Sequence, residues 1–256
     1  MTLIEYDFPA KAQCGTAIGV DHAPIGAFSR PRHREGACRF LNVTVAALGL
    51  ILAAPLMALI ALAVKLTSPG PVFYRQTRVG LLSPDGGNAG SNDEPWGRLF
   101  TSYTFRTMHI VASAKEKRVR CGTASPRITT IGHVLRRSRL DELPQLLNVL
   151  TGDMNIVGPR PELPRIFASL REQVPGYALR QRVRPGITGL AQVTLGNDTS
   201  IDAVRRMVAL DLQYIARRSL LTDLGIMLRT VPVILMRIGS RTHPAAPDRG
   251  PLESTY

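Results

Sequence analysis

Acidic side chains are scarce in this sequence of 256 residues, with 19 Asp and Glu against 32 Lys and Arg and a formal charge of +13. Such an excess calls for an anionic partner: nucleic acid, phospholipid or a phosphorylated substrate. Aromatic residues are few, 5% of the chain, and no helix-turn-helix, zinc-finger or RNP1-like pattern occurs. With so little to stack bases on, nucleic acid is not the expected partner. Cysteine is limited to Cys14, Cys38 and Cys121, with no CxxC. That excludes a disulfide framework or a zinc ribbon and points to a reducing, cytosol-facing location. His22, His33, His109, His133 and His243 form no HExxH, and GxxxxGK[ST], GxGxxG and GxSxG are all missing. P-loop, Rossmann and hydrolase-elbow readings therefore lack their key elements. Apolar residues are not lacking: at 45% they suffice for a real core.

Residues 1–37 mix Pro, Gly, His and charge without sustained periodicity and read as a disordered tail, not as a secretory signal. From Val43 to Val64 no charge occurs. As a helix this stretch is about 33 Å long, enough for a bilayer core of about 30 Å; a fully buried core helix is the soluble alternative. Pro55 lies mid-run and forces a kink. Basic residues flank both ends, Arg30, Arg32, Arg34 and Arg39 before and Lys65, Arg75 and Arg78 after. A straight span would put one basic flank outside, against the positive-inside tendency. A helix broken at Pro55 that enters and leaves by the same face meets both constraints, so 38–66 is expected to be a re-entrant membrane helix.

Beyond it, a Pro/Gly turn leads to a short β-like stretch ending at Val79, and 81–98 has loop composition. A basic segment through Lys115–Arg120 precedes a helical pattern around Ile131–Leu150. Thr199–Ala216 is amphipathic, with Ile201, Val204, Val208, Leu212 and Ile215 on one stripe. Leu220–Ile238 is mostly apolar but carries Asp223, Arg229, Arg237 and Pro232, which favours a helix lying on the headgroups over a second span. Residues 240–256 read as a second disordered tail.

Against the general scarcity of acid, Asp141 and Glu142 stand together just after Arg136, Arg137 and Arg139. Pro144 fits only the first turn of a helix, so a helix must begin close to Asp141. The carboxylates then meet a positive helix end and a guanidinium cluster, both favouring the ionised form that a nucleophile or metal ligand needs. An N-cap with an ordinary surface ion-pair set accounts for this segment equally well. Gly152–Glu162 and Arg182–Gln192 add Gly/Pro-stiffened turns presenting Arg160 and Arg184. They are either plain loops with solvated arginines or, around the acidic pair, a diphosphate-and-metal site.

Several long segments occur in order: S-P-G-P-V-F-Y-R-Q-x-R-V-G, F-R-T-M, L-D-E-L-P-Q-L-L-N-V-L-x-G-D-M, I-V-G-P-R-P-E-L-P and V-R-P-G-I-T-G-L-A-Q-V. From about Arg39 to Ile238 the chain resembles the bacterial polyprenyl-phosphate sugar-1-phosphate transferases, in their minimal monotopic form. The resemblance implies transfer of a sugar 1-phosphate from a UDP-sugar to undecaprenyl phosphate, with release of UMP, as the first membrane step of exopolysaccharide, O-antigen or glycoconjugate synthesis. It implies a need for Mg²⁺, Asp141 as the nucleophile forming a phosphosugar-enzyme intermediate, and Glu142 as the Mg²⁺ ligand. Arg106, Arg136, Arg160 and Arg184 fall at motif positions as phosphate clamps. A bacterial inner-membrane location with the catalytic domain facing the cytosol is implied too, and a homodimer or downstream glycosyltransferases are compatible partners.

The expected fold class is α+β, mainly helical: one small cytosolic catalytic domain, 67–239, with an N-terminal Pro-kinked re-entrant helix and amphipathic interfacial helices. Departures from the family pattern fall at Asn42 (usually Asp), Ala54 (Ser), Thr104 (Lys), Ser125 (Asp) and the Arg-less Val193–Asn197. They admit a rival reading, an inactive membrane-anchored scaffold of a polysaccharide assembly complex.

Overall fold

The computed structural model describes residues 32–82, 93–94, 97–109, 128–195 and 200–239. Residues 1–31 of the tail expected at 1–37, the whole tail at 240–256, most of loop 81–98, the basic segment 115–120, Ser125 and Asn197 lie outside the described residues.

The chain is mainly helical with few strands. Helix α1, Arg32–Thr67, contains the apolar run, and Pro55 lies inside it. It starts within the stretch read as tail, because Arg, Glu, Ala, Phe and Leu are good or neutral helix formers and Gly36 alone costs only about 1 kcal/mol. Among the described residues one helix, at Gly36–Thr67, is long and apolar enough to cross a membrane by length and composition. Its two halves pack and its middle does not. Cys38, Asn42 and Ala46 are buried in the first half and Ile60 and Val64 in the second, while Ile51, Leu52, Leu56 and Leu59 are exposed between them.

The first half joins a core of Val149, Met154, Ile156, Val157 and Tyr214. Asn42 makes this seam specific: its Oδ1 accepts from the Ile156 N–H and its Nδ2 donates to Cys38 O. An Asp here would lose the second bond, so the departure from the family pattern has a structural reading. The second half of α1 packs on Phe105, Leu135, Leu140 and Leu143.

After the Pro69–Pro71 turn, β1 (Phe73–Val79) pairs antiparallel with β3 (Gly97–Phe105), Phe73 opposite Phe105 and Val79 opposite Leu99, and β2 (Asp93–Glu94) lies on the far side of β3. The helical pattern expected around Ile131–Leu150, with a helix start close to Asp141, divides into α2 (Thr130–Ser138), a 3₁₀ turn (Leu140–Glu142) and α3 (Gln145–Thr151). Two positions cause the break. Arg139 adopts a left-handed conformation, φ 56°, ψ 18°, and Pro144 caps α3.

Strand β4 (Asn155–Val157) pairs in parallel with β5 (Gly186–Thr188). Between them run α4 (Pro164–Gln173) and a 3₁₀ helix (Tyr177–Arg182). A short α5 (Leu190–Thr194) follows β5. Helix α6 (Ile201–Arg217) starts at Ser200, whose side chain accepts from Ala203 N, and its stripe residues Val204, Val208 and Leu212 pack on Phe167, Val174 and Tyr177. Helix α7 (Leu220–Gly239) leaves Leu221, Leu224, Leu228, Val231 and Leu235 exposed on one stripe. Its inner face is tied down where the Tyr214 hydroxyl lies 2.8 Å from Asp223 Oδ1 and 3.1 Å from Val157 O.

Candidate active site

The acidic pair sits at the joint between α2 and α3. Helix α2 opens on Thr129, whose side chain accepts from Gly132 N at 2.9 Å, and runs down to Arg139. Among the described residues Arg139 is the one non-glycine with positive φ. Its left-handed backbone turns the chain sharply enough for Leu140 and Leu143 to reach the core while Asp141 and Glu142 stay together. A left-handed conformation in a long side chain costs of order 1 kcal/mol and is met most often where function demands the geometry.

Asp141 and Glu142 are adjacent in sequence but electrically opposite. Burial and the neighbouring Glu142 charge push the Asp141 carboxyl up to about 6, against a smaller opposing pull from Arg136 and Arg160. Burial pushes Glu142 up as well, but the charges of Arg160, Arg139 and Arg78 outweigh it and hold the carboxyl below the usual range. Two carboxyls driven apart in this way are suited to different tasks. Glu142 is the fixed anion: Arg160 Nη2 donates to its Oε1 at 2.8 Å and Arg139 Nη1 lies 3.7 Å from its Oε2. Asp141 is close to neutral pH in its titration and is the more basic oxygen.

Arg160 reaches this point from the turn between β4 and α4. Gly158 is needed there because a Cβ would stand 2.5 Å from Arg184 O and 2.8 Å from Gly186 N. The Arg160 side chain is 40% exposed, so its outer edge is open to a ligand while its inner edge holds Glu142. Arg136 is oriented by its Nε, which donates to Thr107 Oγ1 at 2.8 Å. Arg78 donates from Nη1 to Pro161 O at 3.0 Å, on the flank of the same turn.

Four of the expected site residues therefore converge: Asp141, Glu142, Arg136 and Arg160. The other two do not join them. Arg106 is buried, with its fork spent on Ser68 O (2.7 Å), Ser68 Oγ (2.8 Å) and Pro69 O (3.0 Å), where it ties the exit of α1 to the end of β3. Arg184 Nε donates to Gly152 O at 2.9 Å, at the opposite end of α3 from the acidic pair. There it joins Arg39, whose Nη2 donates to Leu150 O at 3.1 Å. Both arginines satisfy carbonyls at a helix C-terminus. Arg78 and Thr107 are not singled out at this point from the sequence, and Arg139 figures there only within the guanidinium cluster. Arg139 carried a signal in standing directly before Leu140-Asp141-Glu142, whereas Arg78 and Thr107 are brought in by tertiary contacts alone.

Around two carboxylates the structure thus sets Arg78, Arg136, Arg139 and Arg160, an excess of cation suited to a diphosphate. Among the described residues no three His, Cys, Asp or Glu side chains gather, so an all-protein metal cage does not fit. A magnesium ion does fit the donor set, because it commonly takes one or two carboxylates and completes its shell with water and substrate phosphate. The like-charge penalty on Asp141 is the kind of strain that such a cation relieves.

Comparison with known proteins follows the same boundaries. A family described as "Bacterial sugar transferase" matches residues 33–237. A UDP-glucose:undecaprenyl-phosphate glucose-1-phosphate transferase of Caulobacter vibrioides is 43% identical over 199 residues, 77% of this chain and 69% of the relative. One of the same name from Escherichia coli is 40% identical over 193 residues, 74% of this chain and 38% of the relative. A UDP-N-acetylgalactosamine-undecaprenyl-phosphate N-acetylgalactosaminephosphotransferase of Aeromonas hydrophila is 37% identical over 203 residues, 79% of this chain and 44% of the relative. The chain therefore spans less than half the length of the last two relatives.

Proposed function

The chain belongs to the bacterial sugar transferase family, and on that premise we propose that it moves a sugar 1-phosphate from a UDP-sugar to undecaprenyl phosphate, releasing UMP. The observation that carries this reading is the geometry of the carboxyl pair: Glu142 is held by Arg160 at 2.8 Å and Arg139 at 3.7 Å, with Asp141 next to it pushed up to about 6 by burial and the Glu142 charge. Attack on a diphosphate needs a basic oxygen beside enough fixed positive charge to let two anions meet.

In this reading an Asp141 oxygen forms a bond to the phosphorus that carries the sugar. The bond from that phosphorus to the bridging oxygen breaks, and UMP leaves with the electron pair. The phosphate oxygen of undecaprenyl phosphate then attacks the same phosphorus, and the Asp141 carboxylate departs as leaving group. Arg160 and Arg136 bind the phosphate oxygens, Arg160 from a turn that keeps its side chain in place. Glu142, with Asp141 beside it, would hold Mg²⁺, which when bound supplies charge neutralisation at the diphosphate.

The same proposal has residues 67–239 as a catalytic domain on the cytosolic face of the inner membrane, with 38–66 as a re-entrant anchor. Its support is the packing of α1, whose two halves lie against one domain while Ile51–Leu56 between them is exposed apolar surface around Pro55. A helix spanning the bilayer could not keep both ends on one water-soluble domain. The exposed stripe from Leu221 to Leu235 on α7 suits a helix lying on the headgroups.

Incubating the purified full chain with labelled UDP-sugars, undecaprenyl phosphate and Mg²⁺ tests the activity. Label in the lipid fraction with stoichiometric UMP is the expected result. Membrane association with neither product would favour the scaffold reading. Cysteines engineered near residues 36 and 68, in a chain without its own cysteines, test the anchor: both should label from the cytosolic side only.

A further inference from the structure

The turn that carries Arg160 is short of donors. Pro159 and Pro161 have no N–H, and the amide that is held is Gly158 N ahead of them, which donates to Thr188 O at 2.9 Å. Its carbonyls are caught from outside. Pro159 O accepts from Gly186 N at 2.9 Å, Pro161 O from Arg78 Nη1 at 3.0 Å and Glu162 O from Val79 N at 2.9 Å. The carbonyl of Arg160 itself accepts from Arg180 Nη2 at 3.1 Å.

Arg180 is 4% exposed and Asp211, on α6, is 2% exposed; Arg180 Nε donates to Asp211 Oδ2 at 2.7 Å. The guanidinium carbon also lies 4.9 Å from the centroid of the Tyr177 ring. A buried ion pair of this kind is a poor source of stability, because desolvation consumes most of the attraction and a well-packed apolar pair often does as well. What an apolar pair cannot supply is a donor aimed at Arg160 O.

We infer that Arg180, held in place by Asp211, is a positioning residue for Arg160, fixing the backbone from which the Arg160 guanidinium reaches Glu142. Two separate nitrogens carry the two duties, so a lysine keeps the charge but not the fork that holds both contacts in this geometry. The catalytic half of the inference rests on the transfer reaction proposed above; the structural half does not.

The test uses the full chain in detergent or nanodiscs and replaces the pair by Arg180→Met/Asp211→Leu. Hydrogen exchange over residues 156–163 reads the turn without reference to activity. Exchange at the Gly158 amide, which donates to Thr188 O at 2.9 Å, should quicken by about tenfold or more while thermal melting changes little; unchanged exchange there overturns the inference. In turnover, kcat should fall about 10- to 100-fold, the scale of an ångström-sized misplacement at a reacting centre. Adding Arg160→Ala to the pair variant should then cost no more than Arg160→Ala alone. Fully additive losses, or a wild-type kcat in the folded pair variant, would mean that Arg180 does not act through Arg160. If the pair variant does not fold, Arg180→Lys serves in its place: a normal melt with kcat reduced about tenfold supports the inference, and an unchanged kcat overturns it. Absence of turnover in the wild-type chain would count against the transfer reaction and leave the exchange measurement to decide this point.

Discussion

The two ends of α3 both gather arginines, and they gather them for different reasons. At the N-terminal end Arg136, Arg139 and Arg160 surround carboxylates, with Arg160 bonded to Glu142 at 2.8 Å and still 40% exposed. At the C-terminal end Arg39 and Arg184 donate to Leu150 O and Gly152 O, which is helix capping by cations. A guanidinium committed to backbone carbonyls has its geometry set by the fold. One committed to a buried carboxylate beside a second, strained carboxylate is part of a charge system that a ligand can complete. Similar Gly/Pro turns present both kinds, so residue type and turn stiffness alone do not separate them.

The contrast breaks most completely at Asp141. Asp141→Asn should lower turnover by about 10³-fold or more, since an amide oxygen is a poor nucleophile and no neighbour can take over. Trapped phosphosugar-enzyme adduct should vanish with it, as read by mass spectrometry of the intact chain. Near-normal turnover would remove Asp141 from the nucleophile's role. Glu142→Gln should lower the rate too, and should also raise the Mg²⁺ concentration needed for half-maximal rate, because a neutral amide is a weak ligand for a hard cation.

Comparing Arg160→Ala with Arg184→Ala sharpens the distinction between the two ends. Arg160→Ala removes the proposed phosphate partner and leaves Glu142 short of its closest cation, so turnover should fall about 30- to several thousand-fold. Arg184→Ala removes one charged hydrogen bond at a partly exposed helix end. It should cost about 1 kcal/mol of stability and leave the turnover of folded enzyme within a few-fold of wild type. Parallel kinetics and thermal melts on both variants read the difference. Equal kinetic losses would put Arg184 back among the phosphate clamps.

Much of this site was legible before any coordinates. Pro144 restricts where a helix can start, and that alone put Asp141-Glu142 at a helix junction. Gly158-Pro-Arg-Pro161 marked Arg160 as a rigidly presented cation. The apolar stripe of 201–215 and the run from Leu220 emerged as α6 and α7 with nearly the expected bounds. Arg106 and Arg184 lie apart from the acidic pair; a motif indicates that an arginine is held, not which acceptor holds it. The acceptors, Ser68 and Pro69 for one and Gly152 for the other, are fixed by tertiary packing. Arg139 reads from the sequence as one of the guanidiniums beside the acidic pair, but its left-handed backbone has no sequence signature.

The pH response discriminates further. With ionised Asp141 required, kcat/KM, which reports the free enzyme, should be level above about pH 7 and fall roughly tenfold per unit below about 6. Saturating Mg²⁺ and substrate should move the fall to lower pH. Stability runs the other way. A carboxyl whose folded value lies above its unfolded value of about 4 favours the folded state most when protonated, and that contribution is lost as pH rises through about 6. Asp141→Asn should therefore be more stable than wild type at pH 7–8, by up to about 3 kcal/mol, and the advantage should shrink toward pH 4. Denaturant titrations of both proteins at the two pH values measure it. Equal stability at both would mean that Asp141 is not strained.

The smallest expected effect is at Arg139, where backbone and side chain pull in opposite directions. Its φ of 56° is easy for glycine and costly for arginine, so Arg139→Gly should relieve about 1 kcal/mol of strain in the folded state. Glycine also adds freedom to the unfolded chain, which offsets about half of that gain, and the lost charge beside Glu142 offsets much of the rest. The net change in stability should accordingly be within about 0.5 kcal/mol of zero. The catalytic consequence is one-sided. Glu142 loses a cation at 3.7 Å but keeps Arg160 at 2.8 Å, so turnover should fall only a few-fold. Arg139→Ala keeps the backbone penalty and loses the same charge; it should match the glycine variant in rate and fall below it in stability. If the two variants had equal stability, the left-handed turn would not be a constraint at this joint. If glycine lowered the rate as far as Arg160→Ala does, the ranking of the two cations on Glu142 would be reversed.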